Sequence, residues 1–310
     1  MSSAGTLRTA LAVLCAVMGP AATGGQEKPL ERSFASGASS GFRIQLTVHT
    51  EVRGEETEKI GAKTYVKPFV HAAEAGLSWT ASRRVISMDA AGLAEIEETL
   101  GSFEEFGADA LAGDPDSAKL LAALREMLSG WKKDSVLRYR EARNAQLSGL
   151  NAEGVPPLGE EKPVVLTLWL LRALRPVAAL PTKPVRIGER WEEPRSANLP
   201  PWEGVKGLES GEWLEAGAGG QLAATLQVVQ QIRGSAPRPG AGDASPQERA
   251  EATFFAESLA DVSLLDGSLI SATRSASREI LWTPGPVEGL PDPPQFRAKL
   301  SATVTIRRLP

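Results

Sequence analysis

The sequence predicts an α+β protein: a long-stranded, curved antiparallel sheet, run as a meander and covered by a few short helices. Three observations predict it. Residues 42–52 and 296–306, near opposite ends of the chain, alternate apolar and polar side chains with period two, as a strand with one buried face does. After Trp191 nearly every segment is strand-like, and Gly/Pro connections such as Asp266-Gly267 separate the segments. Before it, three segments carry apolar residues at helical spacing or in one continuous run. Long strands twist and coil, so the sheet should curve, and its apolar face needs a cover that the helices would supply.

Residues 1–25 read as a secretory signal peptide. Arg8 precedes an apolar core over 9–18, and small residues fill 19–25. Cleavage is expected between Ala21 and Gly25, giving a periplasmic or extracellular protein. The apolar run falls short of the ~20 residues that cross a bilayer. Cys15 is the only cysteine. It follows Leu14 rather than a small residue and lies inside the apolar core, which argues against lipid attachment. The mature chain then has no thiol for a disulfide, a zinc site or a nucleophile. Residues 26–40 are polar and small, the composition of a flexible leader.

Residues 41–162 read as an N-terminal α+β half. In 42–52, Phe42, Ile44, Leu46, Val48 and Val52 share one face, and His49 lies on the other. A charged turn over 54–59, a short strand over 63–66 and another over 77–88 follow. From Asp89, a plausible N-cap, Leu93, Ile96, Leu100 and Phe103 recur at helical spacing. A second helix is predicted from Asp114-Pro115, a cap followed by proline at the first helical position. Its apolar residues are Leu120, Leu121, Leu124, Met127 and Leu128. Residues 136–146 are strand-like and 149–162 read as loop.

Residues 163–310 read as a helix plus a C-terminal antiparallel meander, either a second domain or continuous with the first half. Residues 164–174 are nearly all apolar. As a helix they would span ~16 Å, half a bilayer's hydrocarbon, so a buried helix is expected rather than a membrane span. Val164-Val165 keeps a buried strand as the competing reading. Pro176, Pro181 and Pro184 then impose an extended path up to Gly188 and Trp191. Segments 211–216 and 221–232 flank a Gly-Ala-Gly-Gly connection. Residues 234–247 read as a mobile Pro/Gly/Ser loop, 249–265 and 268–282 as strands about Asp266-Gly267, and 284–294 as loop.

The pattern Leu180-Pro181-x-x-Pro184-Val185-x-x-Gly188-x-x-Trp191, followed by Asp266-Gly267-Ser268-Leu269 and a closing alternating strand, resembles families of uncharacterised exported bacterial proteins over residues 164–310. That resemblance implies no activity and no catalytic residues. In architecture, a curved sheet under helices is similar to periplasmic lipoprotein-carrier folds, which hold acyl chains against a half-open barrel.

The formal charge is −4, with both signs interspersed and no basic stripe, so nucleic acid is not an expected partner. The local basic group Lys132, Lys133, Arg138, Arg140 and Arg143 reads as a solvated strand face, with an anion site as the competing reading. The chain has two histidines, His49 and His71, the second placed in a loop. They have no metal-ligand spacing, and no metal or cofactor is expected. Gly37-Ala38-Ser39-Ser40-Gly41 matches a nucleophile-elbow string but precedes a strand instead of joining a strand to a helix. Glu55/Glu56/Glu58, Glu95/Glu97/Glu98, Glu104/Glu105 and Asp114/Asp116 could supply the paired carboxylates of glycoside hydrolysis. The first group falls in a turn and the next two on a helix's polar face, Asp114-Pro115-Asp116 lacks the glycine and terminal glutamate of a calcium loop, and no catalytic residue is assigned.

Seven tryptophans remain, each able to bury ~200 Å², or roughly 5 kcal/mol before entropy. Trp169 and Trp191 read as core. Trp202 and Trp213 follow prolines and glycines and are the candidates for rimming a ligand groove, with Trp169 as the third. The strand 268–277 is small and polar apart from Leu269, Ile270 and Arg274; it reads as facing water, with room above the sheet for a guest as the competing reading. The functional expectation is an exported envelope protein with a non-catalytic binding or structural role. The alternative is a carrier of an acyl chain or other apolar ligand, so the expected partner is a lipid or another envelope component. A carboxylate hydrolase of envelope polymers ranks last.

Overall fold

The period-two segment at 42–52 is a strand, and it runs further than its alternation predicts. The computed structural model describes residues 31–60, 63–129, 133–144, 147–153, 188–199, 202–216, 223–237, 249–263, 265, 267–283 and 295–310. Among them are β1 (Ser39–Ile60), β2 (Lys63–Met88), β3 (Ala94–Ala110), α1 (Pro115–Ser129), β4 (Val136–Glu141) and β5 (Leu147–Glu153). The second half contributes β6 (Arg190–Leu199), β7 (Trp202–Ala216), β8 (Ala223–Pro237), β9 (Arg249–Ser263), β10 (Leu269–Thr283) and β11 (Phe296–Arg308).

All eleven strands form one sheet in the order β5-β4-β3-β2-β1-β11-β10-β9-β8-β7-β6. Every neighbouring pair is antiparallel. Each pair is also consecutive in sequence except β1 and β11, which join the two ends of the chain in the middle of the sheet. The two cleanest alternating segments are therefore each other's partners, with Ile44 opposite Ile306, Leu46 opposite Val304 and Val48 opposite Ala302. The sheet's edges are β5 and β6, themselves consecutive in sequence. Pro194 sits in edge strand β6, where only one side carries a ladder and a missing N–H is tolerated.

One face of this sheet holds the apolar residues. Phe42, Ile44, Leu46 and Val48 of β1 join Leu77 and Trp79 of β2, Val304 and Ile306 of β11, and Leu226 and Val228 of β8 in one cluster. Alanines 256, 260, 272, 276 and 302 lie on the same face of β9, β10 and β11. Flat, eleven strands would be about 50 Å across, and open sheets of that width curl. Helix α1, about 22 Å long, packs on β2 and β3 and adds Leu124 and Leu128 to the cluster.

The fold is thus sheet-dominated, and α1 is the one helix among the described residues. It starts where Asp114-Pro115 predicts. The helix predicted from Asp89 is instead β3. Its helix-like spacing from Leu100 to Phe103 arises from a bulge: Leu100 lies opposite Ala81 and Phe103 opposite Trp79, so β3 carries one extra residue. Gly101 belongs to this stretch, where a Cβ would meet the Thr80 carbonyl oxygen at 3.0 Å. Asp89 does cap, but it caps a turn, with Oδ1 accepting from the N–H groups of Ala91 and Leu93. The apolar segment 164–174 lies outside the described residues.

Other boundaries move for a shared reason: cross-strand pairing carries strand through segments that look like turns. The 54–59 turn and the two strands 63–66 and 77–88 are parts of β1 and β2, paired without interruption from Ser39↔Arg84 to Ile60↔Lys63. Pro68 is tolerated because β2 pairs with β3 only from Ala73 onward. Residues 149–153 and 234–237, expected in loops, are strand in β5 and β8. A hairpin joins β9 to β10 about Gly267, as expected. Ser263 N–H donates to Ser268 O, Gly267 N–H donates to Ser263 O, and Gly267 has φ +64°. Its connection is wider than a two-residue turn.

The second half of the expected flexible leader is docked. Arg32 N–H donates to Arg143 O and Gly37 N–H to Val85 O. The Arg32 side chain is buried against Glu141, 2.7 Å away. Glu141 also pairs with Arg83 of β2, so one carboxylate joins the N-terminal segment, β2 and β4. Burial would by itself lower the Arg83 pKa. Tyr139, Glu141 and Glu98 beside it more than offset this and raise it.

Candidate functional site

At one end of the apolar face the side chains become aromatic and only half buried. Phe69 of β2 is opposite Gly54 of β1, and Trp282 of β10 is opposite Phe296 of β11. A Cβ on Gly54 would sit 2.6 Å from the Phe296 ring and 2.7 Å from the Phe69 ring, so the two rings meet over this glycine. Phe69 and Phe296 have centroids 6.0 Å apart, and Trp282 stacks on Phe296 at 5.1 Å. His71 stacks on Phe69 at 4.9 Å. The result is an aromatic row across β2, β1, β11 and β10, continuous with the core face. Its members are scattered through the sequence, and strand register alone aligns them.

His71, expected in a loop, lies on β2 and meets the start of α1. Its Nδ1 is 2.5 Å from Asp114 Oδ2. Asp114 also accepts from Asp116 N–H at 3.1 Å, Ser117 N–H at 3.3 Å and Ser117 Oγ–H at 2.5 Å. Ser117 Oγ in turn accepts from Ala72 N–H at 3.0 Å. The helix N-terminus is thus clasped to the strand, and carboxylates are favoured at that end by the helix dipole. Asp116 Oδ2 lies 3.8 Å from His71 Nε2, so His71, Asp114 and Asp116 are close enough to share a cation, although Asp114 already serves as the cap.

The bonds from Ser117 and then His71 hold the Asp114 carboxyl down at about 2, below its ordinary 3.8. A depressed carboxyl stabilises the fold fully above its unfolded-state pKa. That contribution is lost as pH falls from near 3.8 through about 2. Acid titration followed by circular dichroism should show an unfolding step in this window, and Asp114→Asn should remove it. An unchanged acid profile in that variant would mean the clasp contributes nothing.

A polar seam crosses the core face further along. Arg274, expected to face water, is 6 % exposed, and its Nη2 donates to Gln230 Oε1 at 3.0 Å. Gln230 Nε2 donates to Glu209, which is fully buried. Arg278 follows on the same face, and burial lowers its pKa.

Of the tryptophans singled out as groove candidates, Trp213 lies in the core wall at 3 % exposure. Trp202 falls on strand β7 opposite Leu199, and Trp169 lies outside the described residues. Trp191 lies in the core beside Trp213, its ring over Gly211. The predicted acidic clusters of 95–105 are on a strand and largely engaged. Glu95 meets Ser87, Glu97 meets Arg138, Glu98 meets Tyr139 Oη and Glu105 meets Arg125. Two members of the basic group, Arg138 and Arg143, pair with Glu97 and Glu31. His49 stays on the outer face, 3.8 Å from Glu74. Ser39 of the elbow string begins β1.

No family model matches this chain, and no curated protein matches it.

Proposed function

We propose that this is an exported, non-catalytic binding protein that holds an apolar ligand of acyl-chain type against the core face of its sheet. The row Phe69–Phe296–Trp282 carries this reading. Aromatic rings left half exposed at the end of an otherwise buried apolar face offer a ligand a place to enter without first opening the core. The apolar alternation of β1 and β11 supplies a continuous surface from that row inward. The signal-peptide pattern of residues 1–25 supports the location. The pairing of the β3 glutamates with arginines, Tyr139 and Ser87 weighs against the hydrolase reading.

Native mass spectrometry of the purified full-length product tests it. A bound lipid mass is expected, with occupancy at least several-fold lower in a Phe69→Ala/Phe296→Ala variant. A clean apo mass, together with no uptake of a fluorescent fatty-acid probe, would overturn the proposal.

A further inference from the structure

The outer face of the central strands opposes two arginine pairs, and the pair at Arg53 and Arg297 has acids at hand in Glu51 and Glu279. Arg43 of β1 and Arg307 of β11 are directly opposite each other in register. Like charges in that position are destabilising, and sheets ordinarily set an acid there. Both side chains are exposed, and so is Arg308 beside them. None of the three meets a carboxylate among the described residues; Arg308 Nη1 donates to Ser268 Oγ at 3.2 Å. The nearest acid on the same row is Asp261, two strands beyond Arg307 and so ~10 Å away, where Ser271 and Thr225 already hold it.

These arginines line a cleft of about 380 Å³ together with Gln45, Thr305 and Leu309. That volume lies within the range of small-ligand sites. Its lining contains no acid. It offers two forked guanidinium groups from directly opposed positions, an amide and a hydroxyl. Arg308 also lines a smaller recess of about 100 Å³ with Arg32 and Arg83, so this end of the sheet is basic on both faces. Arg32 and Arg83 share the carboxylate of Glu141.

We infer that this cleft binds a phosphate group, carried either by a small soluble molecule or by a lipid headgroup. Guanidinium forks match phosphate oxygens two at a time, and an anion between Arg43 and Arg307 turns their repulsion into attraction to a common partner. The site is on the opposite face from the proposed apolar-ligand surface and does not depend on it.

The test uses the full chain and three variants, Arg43→Gln, Arg307→Gln and Arg43→Glu. Inorganic phosphate is titrated at pH 7 against a chloride control of equal ionic strength. Separately, vesicles of phosphatidylcholine alone are compared with vesicles containing one third phosphatidylglycerol. Saturable binding is expected in at least one arm, weakened at least ten-fold in each variant. Arg43→Glu gives the readout a merely structural role would not move. It places an acid opposite Arg307, so melting temperature should rise while anion binding disappears. Binding to free phosphate identifies a soluble ligand, and binding to the anionic vesicles alone identifies a headgroup. If neither arm exceeds its control, or if the variants bind as well as the parent, the inference fails. Because Arg307→Gln acts from a different strand, a folding defect in either Arg43 variant leaves the test standing.

Discussion

Replacing Glu141 by alanine is expected to cost about 3–5 kcal/mol of folding stability, the largest single effect in this molecule. Its carboxylate is 4 % exposed and pairs with two guanidinium groups, Arg32 at 5 % and Arg83 at 15 %. Removing it leaves two like charges facing each other away from water without the carboxylate they share. The loss should extend beyond β4. Arg32 anchors the N-terminal segment, whose backbone also bonds to Arg143 and Val85. Urea denaturation of Glu141→Ala and Glu141→Gln checks this, with limited proteolysis reporting release of residues 31–38. A cost below about 1 kcal/mol, the value of an exposed pair, would show that water reaches the cluster.

Trp213→Ala should be nearly as damaging, at about 3–5 kcal/mol. The residue is 3 % exposed on β7, beside Leu226 of β8 and Trp191 of β6. Truncation opens a large cavity in the wall of the core face. Trp213→Phe should cost less than half as much, because among the described residues no acceptor meets the indole N–H and only volume is lost. Thermal denaturation of both variants with and without a fatty-acid probe separates this role from that of a groove residue. A core tryptophan destabilises equally in both conditions, whereas a ligand contact would show its cost only with the probe present.

Much of the sheet is legible in the sequence because period two is a local signal. Phe42 to Val48 and Ala302 to Ile306 declare their buried faces residue by residue, and each of these strands lies where the alternation puts it. Asp114-Pro115 announces α1 for an equally local reason, since a cap and a first-turn proline need only their own neighbours. Leu100 to Phe103 misleads because a bulge opposite Ala81 and Trp79 imitates helical spacing, and bulges belong to the pair of strands rather than to one. Gly54 to Lys59 misleads because charged residues persist in a strand when a partner such as β2 continues beside them.

The candidate sites are less legible, for the same physical reason. Phe69, Phe296 and Trp282 have no common motif; register across β1 and β11 brings them into one row. Arg43 and Arg307 stand near opposite ends of the chain, while the basic residues that cluster in sequence, Arg138 and Arg143, find acids in the fold. Side-chain alternation, caps and turn residues act over a few positions, so the sequence alone determined the strands at 42–52 and 296–306, their apolar faces and the start of α1. Partners across a ladder are chosen by total burial over the whole chain. Only the tertiary structure could decide that β1 meets β11, that rings gather over Gly54, and that two arginines face each other without an acid.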